Sequence, residues 1–473
     1  MAYTAFITRI KNLHKHPNAD RLQIGECFGN AIIVSMEYED GQLGVYFPSD
    51  GQLSVEFAEV NNLVRKKDEN GNNIGGYMDP DKRNVTAIKL RGEKSDGLFL
   101  PLRALESFGD VSTLNEGDRI ENFNGHEICR KYVPRRNVRQ GHASDGNRTR
   151  KKKVNVAPLF TEHADTEQLA YNLGAFKPGD EIEITLKMHG TSQRTAHLPV
   201  FKGYKRTIWD KIFRREGMPI YDWGYVSGTR RTVLENFEGG YYGSNEFREA
   251  HSKFFEGKLW KGEEIYYEVV GFTHTGAPIM ATADNKKLND KEFVKQYGKE
   301  TVFSYGCSPH SYTFEGYNDS RPGYQNEPIK VTIPQSDIYV YRMTMTNEDG
   351  DVVEYSPDFM RYRCEQMGVK TVSVMWRGFL NEPDEWGSTE WDAGEFAKMI
   401  AEQYYDGPDP VGKTHVREGV VVRILNRPKF CAYKHKNWSF KALEGIVKVE
   451  AEAPDMEEAD GINEEVMTDE LSQ

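Results

Sequence analysis

Residues 181–192 read EIEITLKMHGTS, and this stretch decides the fold. Ile182, Ile184 and Leu186 alternate with polar residues, which is the period of a half-buried strand. The strand closes on Lys187 and runs into Met188, His189, Gly190, Thr191 and Ser192. A lysine at a strand end, followed by a glycine that lets backbone approach a ligand closely, suits a nucleophile set in a pocket. Most lysines so placed are surface residues, so the reading depends on what lies further along.

Three later segments strengthen it. Glu268 sits inside the apolar strand YYEVVGF (266–272), where an unpaired carboxylate is costly to bury. Glu418 precedes the apolar run GVVVRI in REGVVVR (417–423). Lys434 and Lys436 alternate in AYKHKNWSF (432–440), so both project from one face of a strand. A formal P-loop match, GPDPVGKT (407–414), is set aside. A cradle for phosphates needs a strand before the loop and a helix after it. Here a helical pattern precedes and a strand follows, and Pro408 and Pro410 remove two N–H donors.

Taken in order, these segments resemble the covalent nucleotidyltransferase superfamily of polynucleotide ligases and mRNA-capping enzymes. KMHG (187–190) looks like its KxDG motif, with His189 where the usual residue is Asp. EVVG (268–271), VYRM (340–343), REGVVVR (417–423) and KHK (434–436) resemble four later motifs. The resemblance implies that Lys187 takes AMP from ATP. It implies a Mg²⁺ or Mn²⁺ ion held by Glu418, with Glu268 contacting the ribose or joining the metal site through its water shell. Lys434 and Lys436 would contact phosphate, Tyr341 would stack on adenine, and His189, Gly190 and Arg194 would line the nucleotide site. Nearby Lys434 or Lys436, with desolvation, is expected to depress the Lys187 pKa so that a neutral amine attacks. Arg230 and Arg231 in SGTRRT are candidates for an RNA 5′-phosphate.

Around this core, residues 158–449 read as an α+β adenylyltransferase domain of antiparallel sheets with flanking helices. The N-terminal 1–130 carry short strands (AFITRI, AIIVSM, LGVYFP, VTAIKL, GLFLPL) between turns, as in an OB-like β-barrel. HPNADRL (16–22) and KLRGEKSDGLFL (89–100) resemble the OB-type tRNA-binding module, which implies RNA binding. His14 and His16 have no third ligand nearby and read as loop residues. A barrel ahead of the nucleophile, with only a short segment after Lys436, resembles the order of an RNA ligase family. An ATP-dependent ligase joining RNA 5′-phosphate and 3′-OH ends is therefore expected. A DNA ligase, a GTP-dependent capping-type enzyme and a non-catalytic RNA-binding protein are the alternatives.

The formal charge is −12, which by itself disfavours a polyanionic partner. The distribution says otherwise. Residues 450–473 hold ten acids and no base, an acidic tail expected to be disordered. The 131–157 linker is basic, and residues 130–153 hold ten bases against one acid, Asp145. Five scattered cysteines form no CxxC pair, so neither a disulfide framework nor a zinc ribbon is indicated. Mean hydropathy is −0.69, with neither a signal-peptide pattern nor an apolar run long enough to span a bilayer. A monomer in the cytoplasm, away from membranes, is expected.

Overall fold

The computed structural model describes residues 3–67, 73–132, 154–279, 304–317, 328–381, 391–412 and 416–441, apart from positions 162, 164, 165, 214, 216, 231, 235, 236, 238–243 and 439 within those spans. Arg231, most of the basic linker and the acidic tail lie outside the described residues. The chain forms two compact units, Met1–Arg136 with Trp438–Pro454, and Asn137–Asn437 with Asp455–Gln473. No described helix is long and apolar enough to cross a membrane. All five cysteines are free, four of them buried.

The first unit is built on β-structure. Strand Ala5–Arg9 pairs antiparallel with Leu43–Phe47, and Leu98–Pro101 and Arg119–Ile120 flank them. Ala5, Ile7, Val45, Phe47 and Leu53 pack on Phe57 and Ala58 of the short helix Val55–Val60, whose N-cap Ser54 accepts from Phe57 N–H. The strands fall where alternation in the sequence places them. Their pairings do not close among the described residues, however. Lys11–Lys15, Leu22–Cys27 and Asn30–Ser35 form a separate three-stranded sheet, and Cys129–Lys131, Gly51–Leu53 and Asn84–Val85 form another. The break follows Ile10, where Asn12 takes a positive φ of 58° and turns the chain off the first sheet. Trp438 and Lys441 belong to this unit. Lys441 Nζ meets the buried carboxylate of Asp96 at 2.6 Å, and Lys94 lies 4.6 Å from the Trp438 ring.

Besides a two-stranded ribbon, Tyr312–Tyr317 with Pro328–Ile333, the second unit holds two large, mostly antiparallel sheets with few helices among the described residues. In one, Val374–Phe379, Glu181–Leu186, Gly419–Ile424 and Ala432–Lys436 run side by side, with Glu167–Gln168 parallel at the edge. Ile182, Ile184, Val420, Val422, Ile424 and Tyr433 face helix Ala393–Glu402 through Ala397, Ile400 and Ala401. At roughly 25 cal/mol per Å² of apolar area, such a layer is the main stabilising term of the sheet. The other sheet has the order Met218–Gly228, Thr191–Lys205, Glu263–Gly271, Ser336–Thr346, Val352–Glu354. Its outer face (Ile265, Tyr267, Val269, Ile338, Val340, Met343) packs on helices Glu246–Phe254 and Pro357–Met367. The second helix starts at Ser356, which accepts from Phe359 N–H, and stops at Gly368 in the left-handed region, φ 71°. Buried between helix and sheet, Arg363 donates to both oxygens of Glu263 at 2.8 Å.

Candidate active site

Strand alternation leaves Glu183, Thr185 and Lys187 on the face opposite Ile182 and Ile184. Val421 and Arg423, and likewise Lys434 and Lys436, share that face by register. Lys187 is fixed at the strand end by its N–H donating to Gly419 O at 3.0 Å. Glu418 would point with Val420 toward the helix if alternation continued. Gly419 breaks it at φ 149°, and a Cβ there would lie 2.1 Å from His435 O. The buried Glu418 carboxylate therefore reaches the lysine side. Its Oε1 lies 2.7 Å from Lys187 Nζ and 3.2 Å from Lys436 Nζ, and its Oε2 lies 3.4 Å from His189 Nδ1.

Gly190 is required by close approach, since a Cβ would lie 2.3 Å from Val269 O and 2.9 Å from Glu268 Cγ. That contact sets Glu268 beside the loop. Glu268 faces Ser192 on one neighbouring strand and Tyr339 on the other. His189 is buried, and its N–H donates to Tyr305 Oη at 2.8 Å. Tyr305 packs with Leu186, Met188, Val270, Tyr339 and Val372, and Tyr341 and Val411 lean on the same cluster.

Burial alone would raise the Glu418 pKa, but Lys187 and Lys436 outweigh it and hold the carboxyl well below the usual range. For Lys187, burial pulls the pKa down, yet the Glu418 charge, aided by Glu268, outweighs burial and Lys436, and the net shift is upward. The expected depression of the Lys187 pKa is thus not met: the lysine is held as an ammonium by Glu418. Drawing Glu418 away is what would free a neutral amine. Glu418 Oε2 is buried, and its approach to His189 Nδ1 at 3.4 Å falls short of a well-formed hydrogen bond. With Glu268 nearby, that open oxygen fits a hard divalent cation, although the described residues contain no group of three or more His, Cys, Asp or Glu side chains able to hold a metal alone. Phosphate oxygens of a bound nucleotide would complete such a shell.

Other candidates scatter. Arg194 is buried, donating to Glu264 Oε1 at 2.8 Å, to Thr229 O at 2.9 Å and to Thr161 O, with its guanidinium 3.8 Å from the Phe160 ring. It is a structural ion pair, and sequence spacing could not reveal a partner 70 positions away. The Arg230 carbonyl accepts from His163 N–H at 3.1 Å. Lys434 lies opposite Val421 and Gln168, on the same face as Lys436.

At Tyr341 the register slips, so that Tyr266 faces Arg342 and Tyr267 faces Val340. This bulge puts Tyr341 and Arg342 on one face. Arg342 donates to Glu354 Oε1 at 2.6 Å and to His163 Nδ1 at 2.8 Å, and lies over the rings of Tyr266 and Phe430. Asp409, in the loop that mimics a P-loop, is wholly buried; Oδ1 accepts from Val411 N–H at 2.7 Å and Oδ2 from nothing. Neither Tyr305 nor Asp409 had a sequence signal, because each is defined only by what surrounds it.

Two sheets carry this strand-end lysine, buried glutamate and second lysine, and their arrangement has counterparts among known folds. Among solved structures, the fold matches that of the Naegleria gruberi RNA ligase. A lysine-to-methionine mutant of that ligase with AMP and Mn aligns at TM-score 0.52 and 15% identity, over 93% of this chain and 98% of the other. A glutamate-to-alanine mutant with ATP and Mn gives the same values, and an apo aspartate-to-alanine mutant aligns at 0.51 and 16% over 94% and 98%. No family model matches the chain, and no curated protein matches it.

Proposed function

We propose that the protein is an ATP-dependent RNA ligase that joins a 5′-phosphate to a 3′-OH. The observation that carries this reading is the convergence of Lys187 and Lys436 on one buried oxygen of Glu418, at 2.7 and 3.2 Å. In the first step Lys187 Nζ, having lost a proton, attacks the α-phosphorus of ATP. A P–N bond forms, the bond to the bridging oxygen breaks, and pyrophosphate leaves. AMP then passes to the RNA 5′-phosphate oxygen, and the 3′-OH displaces AMP to form the phosphodiester.

Lys436 and Lys434 neutralise charge on the phosphates, where phosphoryl transfer gains most. Gly190 lets the loop pass close to Val269, and the Tyr305–Leu186–Met188 cluster with Tyr341 receives the base. Glu418 and Glu268 would hold Mg²⁺ or Mn²⁺, which supplies charge neutralisation to the phosphates. Seating a cation on Glu418 weakens its hold on the Lys187 proton. The 1–130 unit is assigned to RNA binding as an OB-like module, 131–157 to a basic linker and 158–449 to catalysis. Two of the solved neighbours carry AMP or ATP with Mn, which supports the choice of nucleotide and metal.

The test is incubation with α-labelled ATP or GTP and a divalent metal, followed by denaturing electrophoresis and then sealing of 5′-phosphorylated RNA against DNA. Covalent label from ATP and sealing of RNA are expected. Absence of label with either nucleotide refutes the reading, and label from GTP alone points to capping chemistry.

A further inference from the structure

The strands Thr191–Lys205 and Met218–Gly228 form a hairpin longer than the sheet that bears it. Their pairing runs from Arg194–Gly228 out to Lys205–Met218. The third strand, Glu263–Gly271, accompanies it only as far as Ala196–Glu264. Beyond that point the hairpin is a two-stranded arm. Its tip carries the short helix Ile208–Ile212, closed by a capping box in which Thr207 and Asp210 bond reciprocally.

What the tip exposes is unusual for a soluble surface. Trp209 is 68% exposed and Phe213 60% exposed, and Ile208, Ile212, Met218 and Ile220 are exposed beside them. Exposed apolar patches rimmed by charge mark interaction sites. The two rings lie one helical turn apart, with centroids 6.0 Å apart and planes 17° apart, so they stand nearly parallel. Arg215 lies 5.5 Å from the Phe213 ring. Between 200 and 217 the sequence has six bases against two acids, one of which, Asp210, is engaged in the cap.

The arm is also fastened to the exit of the basic linker. Phe201 N–H donates to Val156 O at 2.7 Å, and Tyr221 Oη donates to Asn155 O at 3.1 Å. RTRKKK (148–153) is covalently joined to that segment at Val154. The described end of the basic linker, Asn155 and Val156, thus runs along this ribbon.

We infer that this arm is a binding site for single-stranded RNA, in which Trp209 and Phe213 receive unpaired bases and Lys205, Arg206 and Arg215 hold the phosphates. Parallel exposed rings set among bases are the chemistry of a stacking platform: every nucleobase offers a π-face, and the flanking cations track the backbone. An apolar partner surface would offer nothing to the net positive charge of this segment. The choice of RNA over DNA rests on the ligase reading; the platform itself does not.

The probe is a fluorescent oligouridylate, read by anisotropy on the full chain, with Trp209→Ala/Phe213→Ala and Trp209→Phe compared at two salt concentrations. Loss of about tenfold in affinity per ring removed is expected. Trp209→Phe should bind near the parent level, and covalent AMP labelling should be unchanged in both. RNA affinity unchanged in the double variant overturns the inference, whether self-association, binding to anionic vesicles or nothing at all is lost instead. Failure of the parent protein to label with AMP would strike the ligase reading alone, since RNA binding is measured without ATP.

Discussion

Glu418 Oε1 lies between two ammonium groups, 2.7 Å from Lys187 Nζ and 3.2 Å from Lys436 Nζ. Replacing Lys187 with Ala leaves Glu418 paired with Lys436, so the fold should persist. Covalent label from α-labelled ATP should vanish while the melting temperature stays close to that of the parent. A variant that still labels would show that another lysine is the nucleophile.

Glu418→Ala is the harsher change. It leaves two lysines facing each other without their shared counter-charge, and breaking a buried pair from one side costs about 3 kcal/mol. Urea unfolding should register that loss, and AMP labelling should fall below detection. Lys436→Ala, which leaves the Lys187–Glu418 contact intact, should be the milder of the two in stability.

Gly190→Ala would force a Cβ to 2.3 Å from Val269 O, a contact with backbone that no rotamer relieves. A shift of the loop by even about 1 Å misplaces Lys187 relative to the α-phosphate, at a cost near 100-fold in rate. Single-turnover AMP transfer at saturating ATP should show that loss.

Arg194 tests what the sequence could not tell. The resemblance implies a place for it at the nucleotide site; in the structure it pairs with Glu264, whose pKa is raised by burial and only partly restored by the arginine. Arg194→Ala should therefore destabilise by about 3–5 kcal/mol. ATP affinity of the folded variant, measured at a temperature well below its transition, should match the parent. A selective loss of affinity would return Arg194 to the nucleotide site.

Asp409 supplies a pH dependence. Burial pushes its pKa up from 3.8 to about 7, against the Val411 N–H and Arg417. Across that window the native state keeps a proton that the unfolded chain has released, so stability falls as pH rises and the deficit is complete above about pH 7. Asp409→Asn retains the acceptor for Val411 N–H and removes the charge. It should be more stable than the parent at pH 8.5, by no more than about 4 kcal/mol, with the gap closing toward pH 4. An equal difference at both ends in thermal unfolding would refute the assignment.

The shared face of Lys187 and Lys436 was legible because each is tied to a strand whose alternation is local, whereas Glu418 reaches that face only through the break at Gly419. Ile182, Ile184, Val420 and Val422 announce their faces from four or five residues of context, and the lysines follow by parity. Long-range facts were not legible. Whether the first unit closes depends on which strands find each other across more than a hundred positions, and its described pairings stay open. The direction of the Lys187 shift depends on a carboxylate 231 positions away at 2.7 Å, which spacing cannot supply. The arm was missed because isoleucine, tryptophan and phenylalanine in a run read as core until their exposure is known.

The slip at Tyr341 reaches beyond its own turn of chain. Every in-or-out assignment made by counting twos from Ile338 is inverted from Arg342 onward, so Met343 and Met345 fall among the apolar residues while Arg342 joins Tyr341. Regular alternation through this point with every residue kept would drive a guanidinium into the layer under the helices, whereas excising the extra residue would straighten the strand with Arg342 still outside. The extra residue therefore acts as a phase marker: a homologue aligned without a gap at this point must share the slip to keep Arg342 out of the apolar layer, and one lacking a residue keeps the same pattern on a straight strand.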